Sequence, residues 1–493
     1  MKRFGLFAAA VTVAGMLAVP AGAQNTSLTM GMVLEPPHLD PTAGAAAAIR
    51  EVTYANIFEG LTKIDRNGAV QPLLARDWEI SEDGLTYTFN LHEGVTFHDG
   101  TPFTSADVAF SFERAMGPDS VNAQPQLFEP IAEIDTPDDH TVVITLDQPT
   151  GHFLFNLGWG DAVIVSPETA DTNQSEPVGT GPFRFVRWAS GDRVEIERYD
   201  DYWGDLPELE RATFAFIPDP AAAVAALMAG DVDAFANLPA PENLVQFEGD
   251  PRFTVVVGNT EGETILSMNN ERAPFDDIRV RRAISHAIDR QEIIDGAMFG
   301  YGTPIGSHFA PHHPAYVDLT DRYPHDLDKA RELLAEAGLE DGFSATLRLP
   351  PPSYARRGGE IVADQLRQVG IEVEIIPVEW AQWLEQVFQG TDYDMTIVSH
   401  TEPMDIEIYA RDEYYFNYHS DELRAVMEEL NRETDEERRY ELLGEAQRIV
   451  AEDAPVAFLF QLAKHGVWDA RIEGLWENVP VPANDLTEVR WTE

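Results

Sequence analysis

The sequence predicts an α/β protein of two lobes, one of which carries an inserted domain made mainly of β-strands. The first observation is an alternation of strands and helices over residues 343–399, which is typical of a parallel sheet with crossover helices. A second βαβ-like unit lies around residues 219–235, and a β-rich stretch precedes it. Two α/β regions separated by a β-rich block indicate two lobes and an insertion.

The chain starts with 23 residues that have the composition of a signal peptide. Lys2 and Arg3 are followed by an apolar run over residues 6–19 and by small residues typical of a cleavage site at 21–23. The apolar run is too short to span a membrane. We therefore expect a periplasmic protein. Because the chain has no cysteine, we expect neither disulfides nor a lipid anchor.

Turn residues and hydrophobic periodicity predict the elements of the N-terminal half. Asp83-Gly84 between two alternating runs is typical of a β-hairpin. Asp219-Pro220 is typical of a helix start, and Gly230 of the end of that helix. The pattern also predicts a helix over residues 45–58, and strands over 28–34, 141–146, 183–188, 193–198 and 232–235.

The C-terminal half shows longer helical periodicities that alternate with short apolar strands. Asp326 is a candidate cap for a helix that ends at Gly338. The pattern predicts two helices within 276–298, strands over 343–349, 372–376, 395–399 and 455–461, and helices ending at Gly370 and over 380–388, 421–433 and 435–451.

Composition and charge exclude several classes of partner. The 493 residues carry a formal net charge of −51 and are 44% hydrophobic, so the chain can form a large core. Nucleic acid and anionic membranes would be repelled by such a surface. We predict a protein that binds no nucleic acid and inserts no segment into the membrane.

No catalytic motif is recognisable. The Gly-x-Ser-x-Gly elbow, a phosphate-binding loop with lysine and a cysteine nucleophile are all absent from the sequence. With 85 acidic residues, carboxylate pairs arise by chance and do not indicate a glycosidase. We predict that the protein is not an enzyme and needs no cofactor, with a periplasmic hydrolase as the alternative.

Three histidines cluster in the segment Ser-His-Phe-Ala-Pro-His-His-Pro. They are His308, His312 and His313. Imidazoles can bind metal, but flanking prolines and the lack of cysteine or a His-Glu-x-x-His motif weaken that interpretation. We predict a surface loop that closes over a cleft, and no metal ligand.

A polar loop follows the predicted strand 395–399. It contains His400, Thr401, Glu402 and Asp405. In open α/β sheets ligands bind beyond the carboxyl ends of strands. The loop is therefore the candidate site for a small charged ligand.

Arginines and a tryptophan begin two helices at the same predicted sheet edge. Arg356 and Arg357 could hold a carboxylate, and Trp380 could form an apolar wall. The alternatives are a solvated helix face for the arginines and core packing for the tryptophan.

A series of motifs in the N-terminal half resembles one known family. The matching segments are Asn56-Ile-Phe-Glu-Gly-Leu-Thr62, Leu74-Ala-Arg-Asp-Trp78, Asp83-Gly-Leu-Thr-Tyr-Thr-Phe-Asn-Leu91, Val95-Thr-Phe-His-Asp-Gly-Thr-Pro-Phe103, Val178-Gly-Thr-Gly-Pro-Phe183, Tyr202-Trp203 and Gly230-Asp-Val-Asp233. Asn269-Asn270, Val280-Arg-Arg-Ala283 and Gln368-Val-Gly-Ile371 continue the series. Together they resemble the peptide/nickel family of solute-binding proteins, family 5, which serve ABC importers.

The resemblance implies a type II periplasmic-binding-protein fold with three domains. Lobe one would combine residues 24–53, 175–259 and 462–493, the inserted domain would cover 54–174, and lobe two would cover 260–461. The lobes would close on a ligand by a hinge motion. The partners implied are a small-molecule ligand and an inner-membrane ABC permease, and the protein would act as a monomer.

The resemblance also assigns roles to the candidate residues. Glu402 is similar in position to the carboxylate that holds a peptide's amino terminus, with Asp405 as the second choice. His400 stands where peptide-binding relatives carry a tryptophan. Arg356 or Arg357 would hold a carboxylate and Trp380 would form the pocket wall, with Thr401 beside it. Glu35 resembles the contact from lobe one.

The function implied is capture of a small peptide-like or other charged organic solute between two lobes, for delivery to the permease. The alternative within the same family is a binder of metal chelates such as nickel complexes, metallophores or haem. The sequence does not decide between them, because one scaffold serves all of these ligands.

Overall fold

A mixed sheet of eleven strands organises the computed structural model, which describes residues 25–44, 46–401, 405–411, 413–433 and 435–492. The predicted signal peptide and Glu402 lie outside the described residues. The strands are β1 (Ser27–Met32), β2 (Thr62–Ile64), β3 (Val70–Pro72), β4 (Ala75–Ile80), β5 (Thr86–Leu91), β6 (Ile131–Asp138), β7 (Thr141–Leu146), β8 (Phe183–Ala189), β9 (Arg193–Arg198), β10 (Arg211–Phe216), β11 (Ala234–Phe235), β12 (Phe253–Met268), β13 (Thr303–Pro304), β14 (Phe343–Leu349), β15 (Ile371–Pro377), β16 (Met395–His400), β17 (Val456–Asp469), β18 (Ile472–Glu473) and β19 (Arg490–Trp491).

Helices cover both faces of this sheet and contribute to its hydrophobic cores. They are α1 (Ala47–Thr53), α2 (Ser105–Met116), α3 (Phe153–Leu157), α4 (Pro220–Ala229), α5 (Leu244–Glu248), α6 (Ile278–Ala287), α7 (Arg290–Met298), α8 (Leu327–Glu336), α9 (Ser353–Arg367), α10 (Trp380–Trp383), α11 (Asp421–Arg432) and α12 (Glu436–Asp453). Helix α1 is shorter than predicted, because the backbone turns at Ala55, where φ is positive.

The strand order of the large sheet is β15-β14-β16-β12-β17-β11-β1-β10-β9-β8, with β13 paired to β17. The predicted parallel arrangement of these strands is confirmed, since β14 pairs parallel with both β15 and β16. The sheet as a whole is mixed, because β16 pairs antiparallel with the long strand β12. That pairing brings the carboxyl end of β16 beside Glu263, which lies opposite His400.

Two long antiparallel strands, β12 and β17, run through the centre of the sheet. They pair from Phe253–Asp469 to Ser267–Val456, with a register irregularity between Asn259 and Glu263. These strands join the part of the sheet that holds β1 and β8–β11 to the part that holds β14–β16. The residues that carry the candidate site are therefore anchored to both parts through one continuous ladder.

A second, antiparallel sheet has the order β4-β5-β7-β6. The predicted hairpin at Gly84 is confirmed, since β4 and β5 pair antiparallel and Asp83 accepts hydrogen bonds from Ser81 and Leu85. Helix α2 packs on this sheet through Val108 and Phe112 within a separate core.

Glu59 explains why several of the family-like motifs occur together. Its buried carboxylate accepts hydrogen bonds from Tyr202 Oη (2.7 Å), Trp203 Nε1 (3.0 Å) and Thr180 Oγ1 (2.8 Å). Burial raises the pKa of Glu59 to about 7, while these donors lower it. One buried acid thus links motifs that are about 120 to 145 residues apart.

Candidate functional site

A cavity of about 800 Å³ lies where residues 124–159 approach residues 380–443. The carboxyl end of β16 opens into it through Ser399, His400 and Thr401. Sites for small ligands typically have volumes of about 300–1,000 Å³. The cavity is the candidate ligand site, and it contains the strand end that the sequence singled out.

An apolar stripe forms one wall of the cavity. Trp380 and Leu384 are 41% and 46% exposed, and Phe388 is similarly exposed, although all three are large and hydrophobic. They follow each other at intervals of four along α10 and the π-helix Leu384–Gln389. Beneath them the buried Trp383 stacks on Phe388, with ring centroids 6.1 Å apart. The wall is therefore held rigidly and presents aromatic surface to a ligand.

Trp383 also explains how this wall is fixed. Its indole Nε1 donates a hydrogen bond of 3.0 Å to Thr396 Oγ1 of β16. Its ring meets Trp380 edge-on at 5.7 Å. The tryptophan that packs into the core is thus Trp383, whereas Trp380 faces the cavity.

The floor of the cavity contains a group of acids and imidazoles around Asp405. Oδ1 of Asp405 lies 2.7 Å from His308 Nε2, and Oδ2 lies 3.7 Å from His400 Nδ1. The other nitrogen of His400 lies 3.0 Å from Tyr415 Oη. Asp405 is therefore already held by two histidines.

Acidic groups outnumber cationic ones elsewhere on the cavity lining. Glu129, Asp147 and Glu407 all line it. Arg411 pairs with Glu407 and lies 5.8 Å from the Tyr414 ring centroid. His152 also lines the cavity, and burial lowers its pKa to about 4, so it is neutral at pH 7. The lining as a whole favours a ligand with positive charge.

The opposite wall touches the turn between α11 and α12 directly. The backbone N–H of Gly151 donates to the carbonyl oxygen of Asn431 at 3.2 Å. Beside it, Arg439 Nη1 donates to the carbonyl oxygens of Leu430 and Glu433 at 2.9 and 3.1 Å. This contact holds the two walls of the cavity together.

The structure brings four of the eight sequence-predicted site residues to the cavity. They are Trp380, His400, Thr401 and Asp405. Glu402 lies outside the described residues. The predicted role of each in ligand binding stays a prediction.

The remaining three residues lie outside the cavity lining. Arg356 donates to Glu379 (3.0 Å) and to the carbonyl oxygen of Val378. Arg357 lies over the Phe299 ring. Glu35 accepts from Trp188 Nε1 at 2.9 Å and from the Gly191 N–H at 3.0 Å. Their predicted contacts with ligand stay predictions that the geometry of this cavity does not favour.

The expectation of a surface loop at the histidine cluster is wrong. His308 is 1% exposed and its neighbours Phe309 and Ala310 are buried. His312 Nε2 lies 2.8 Å from Glu261 Oε1. His308 and His312 are held inside because they meet the carboxylates of Asp405 and Glu261, which are distant in the chain and which local sequence cannot reveal.

Sequence reasoning missed the wall formed by residues 124–159, and it missed Leu384 and Phe388, which extend the wall predicted for Trp380. The spacing of Trp380, Leu384 and Phe388 was a usable signal, since three large apolar residues at intervals of four define one helix face. No comparable signal marks Phe155 or His152, because their place depends on how the two walls dock.

Comparison with known proteins identifies the family. Residues 69–419 match the model described as "Bacterial extracellular solute-binding proteins, family 5 Middle". The chain belongs to this family. It is therefore an extracytoplasmic solute-binding protein of an ABC importer, in a family of transport proteins.

Relatives of this family-5 solute-binding protein match it over most of their length. The glutathione-binding protein GsiB of Pectobacterium atrosepticum is 34% identical over 397 residues, which cover 78% of this chain and 76% of the relative. The dipeptide-binding protein of Escherichia coli is 29% identical over 79% of this chain and 78% of its own. HbpA2 from Haemophilus parasuis superposes with a TM-score of 0.87 at 24% identity, covering 95% and 100% of the two chains, and so supports the type II fold. No helix among the described residues is long and apolar enough to cross a membrane.

Proposed function

We propose that this family-5 protein captures a small peptide-like solute that carries an amine and an apolar or aromatic group. The observation that carries the proposal is the cavity of about 800 Å³ with one aromatic wall and a lining in which the carboxylates of Glu129, Asp147, Asp405 and Glu407 outnumber the arginines Arg411 and Arg439. Aromatic surface supplies contact area at low entropic cost, and carboxylates form strong hydrogen bonds with an ammonium group. The bound solute would then be presented to the permease.

The amine anchor is proposed to be Glu402, which directly follows the cavity-lining Thr401 in the sequence. Asp405 is less available, because both of its oxygens face histidines. Glu407 and Arg411 form an ion pair and place a carboxylate and a guanidinium at the same end of the cavity. The amine of a zwitterionic solute could therefore pair with Glu407, and its carboxylate could pair with Arg411.

The relatives support a peptide-like ligand. By their names, one binds glutathione and the other dipeptides. Such ligands combine a free amine, carboxylates and amide groups in a small volume. We propose a ligand of this class, without choosing among its members.

We also propose the division into three domains that the resemblance implies. The four-stranded sheet falls within residues 54–174, and the boundaries at 259/260 and 461/462 fall within β12 and β17. The register irregularity between Asn259 and Glu263 supports a hinge there. We further propose that residues 1–23 direct export to the periplasm and that the protein acts as a monomer.

A panel of solutes tests the ligand class. We expect glutathione or a di- or tripeptide with an aromatic side chain to raise the melting temperature, because a ligand that binds only the folded state at 100 times its Kd adds about 2.7 kcal/mol. The measurement is a thermal-shift screen followed by titration calorimetry. The panel also contains opines, nickel chelates and haem, and a shift produced only by one of these would contradict the proposal.

Truncation of the aromatic wall tests where the solute binds. We expect Trp380→Ala to weaken binding of the best solute about tenfold and Leu384→Ala somewhat less, since buried aromatic contacts dominate small interfaces. Leu206→Ala is the matched control, because Leu206 is 49% exposed, much like Leu384 at 46%, but lies outside the cavity. Equal losses in Leu206→Ala and Leu384→Ala would place the solute elsewhere.

A further inference from the structure

Three side chains of the types that bind metal ions meet beside the cavity. Glu263 lies on β12, His308 follows β13, and Asp405 follows β16. One donor atom from each lies within 4.8 Å of the other two. His308 Nε2 and Asp405 Oδ1 lie 2.7 Å apart, so they would separate only slightly to reach the roughly 3.0–3.4 Å between adjacent ligands on an ion with bonds of about 2.1 Å. The sequence separations show that the fold, rather than a local motif, assembles the group.

The group is buried and acidic. Glu263 and His308 are both buried, and Asp405 is largely so. Asp405 forms its ion pairs with His308 and His400, and with no lysine or arginine of the described chain. A second buried acid, Glu261, also faces a histidine, His312. Buried carboxylates are stabilised by pairing, by hydrogen bonds or by a metal ion, and one bound ion would contact both Glu263 and Asp405.

His308 supplies an independent sign of a missing partner. Its Nδ1 is buried and accepts or donates no hydrogen bond among the described residues. Such a nitrogen is costly to leave unpartnered. Coordination of an ion through Nε2, the nitrogen beside Asp405, would place the proton of the neutral ring on Nδ1.

We infer that Glu263, His308 and Asp405 hold a divalent transition-metal ion with one coordination position open toward the cavity. One imidazole and two carboxylates suit Zn²⁺, Mn²⁺ or Fe²⁺, and three protein ligands leave a position for another donor. Asp405 and the adjacent His400 line the cavity. A carboxylate or amine of the solute can therefore occupy the open coordination position of the ion. This second step rests on the proposed function, whereas the ion site itself does not.

Metal titration of the full mature chain tests the site. The protein is stripped with EDTA and titrated with Zn²⁺ and, separately, Mn²⁺ by calorimetry in physiological salt with excess Mg²⁺, which saturates the weak sites of a surface with net charge −51. We expect one ion per chain. His308→Ala and the near-isosteric Asp405→Asn should weaken binding at least 10- to 100-fold, as loss of even outer-shell partners does.

His325→Ala is the matched control, since His325 is an exposed histidine 3.5 Å from an aspartate, Asp289. Absence of stoichiometric binding in the wild type, or an equal loss in His325→Ala, would overturn the site. Thermal unfolding of each variant in EDTA confirms that it folds.

Solute affinity is measured on the same samples with and without the ion. A fall of tenfold or more on removal of the ion supports the open position, and an unchanged affinity refutes it. A wild type that binds the ion stoichiometrically but no solute of the panel would contradict the proposed function and leave the ion site intact.

Discussion

Substitution of Gly151 by valine is expected to weaken solute binding about 100-fold, or about 2.7 kcal/mol, with little effect on the stability of either wall. Gly151 lies where the 124–159 wall meets the α11–α12 turn. A Cβ atom there would lie 1.9 Å from the carbonyl oxygen of Glu433 and 1.9 Å from Arg439 Nη1. The arginine could move, but the backbone oxygen could not without displacing the turn. The cavity would therefore be held open.

The reason for so large an effect is that the substitution acts on the whole wall. Phe155, His152 and Asp147 line the cavity together with residues 380–443, so a solute would lose one side of its surroundings if the walls stay apart. Titration calorimetry with the best solute of the panel measures the loss, and small-angle scattering measures whether the solute still compacts the protein.

Gly249→Ala is the control for the glycine substitution. Gly249 caps the end of α5, where a Cβ meets nothing within 4 Å and φ is negative. We expect its affinity to equal that of the wild type. Wild-type affinity in Gly151→Val would show that this contact does not close the cavity.

Substitution of Arg50 by methionine is expected to lower the free energy of unfolding by about 3–5 kcal/mol at pH 7. Arg50 Nη1 lies 3.1 and 3.0 Å from the two carboxylate oxygens of Asp161, whose side chain is fully buried. Removal of the arginine leaves a charge in the core without its partner. Chemical denaturation followed by circular dichroism measures the loss.

The pH dependence of this loss has a definite sign. Burial raises the pKa of Asp161 to about 6, while Arg50 lowers it. Removal of Arg50 therefore raises the pKa of Asp161 further. The deficit is largest above the variant's own, higher pKa, and it falls as the pH drops toward 6 because the variant takes up a proton before the wild type does. Below about pH 6 Asp161 is increasingly protonated in the native state of both proteins, and the deficit shrinks.

The double substitution Arg50→Met with Asp161→Leu tests whether the loss of stability comes from the unpaired charge or from the changed packing. Replacement of a buried ion pair by apolar groups of similar size is often close to neutral, so most of the stability should return. A single variant that costs less than about 1 kcal/mol, or a deficit that grows on acidification, would contradict this account.

Local patterns predicted the parallel units and the helix that carries Trp380, because their causes are local. The alternation of strand-like and helix-like segments predicted β14 and β15. The turn residues Asp83-Gly84 predicted the hairpin of β4 and β5. The exposed position of Trp380 also decides against core packing, which Trp383 performs instead.

The parts that sequence could not supply depend on contacts across long separations. His308 reaches Asp405 across 97 residues of chain, and nothing in either segment specifies the other. Gly151 meets Asn431 only when two walls dock. The antiparallel partner of β16 is likewise a strand about 130 residues away. Such pairings are set by burial of whole elements rather than by propensity.

The central ladder of β12 and β17 has a consequence for cooperativity. The two strands pair on both sides of the irregularity at Asn259, so each half of the large sheet shares its hydrogen bonds with the other. Neither half can unfold without leaving backbone groups of its neighbour unpaired. Solute that binds at one end of β16 is therefore expected to protect the amides of the distant strands as well, as if the whole sheet were a single foldon.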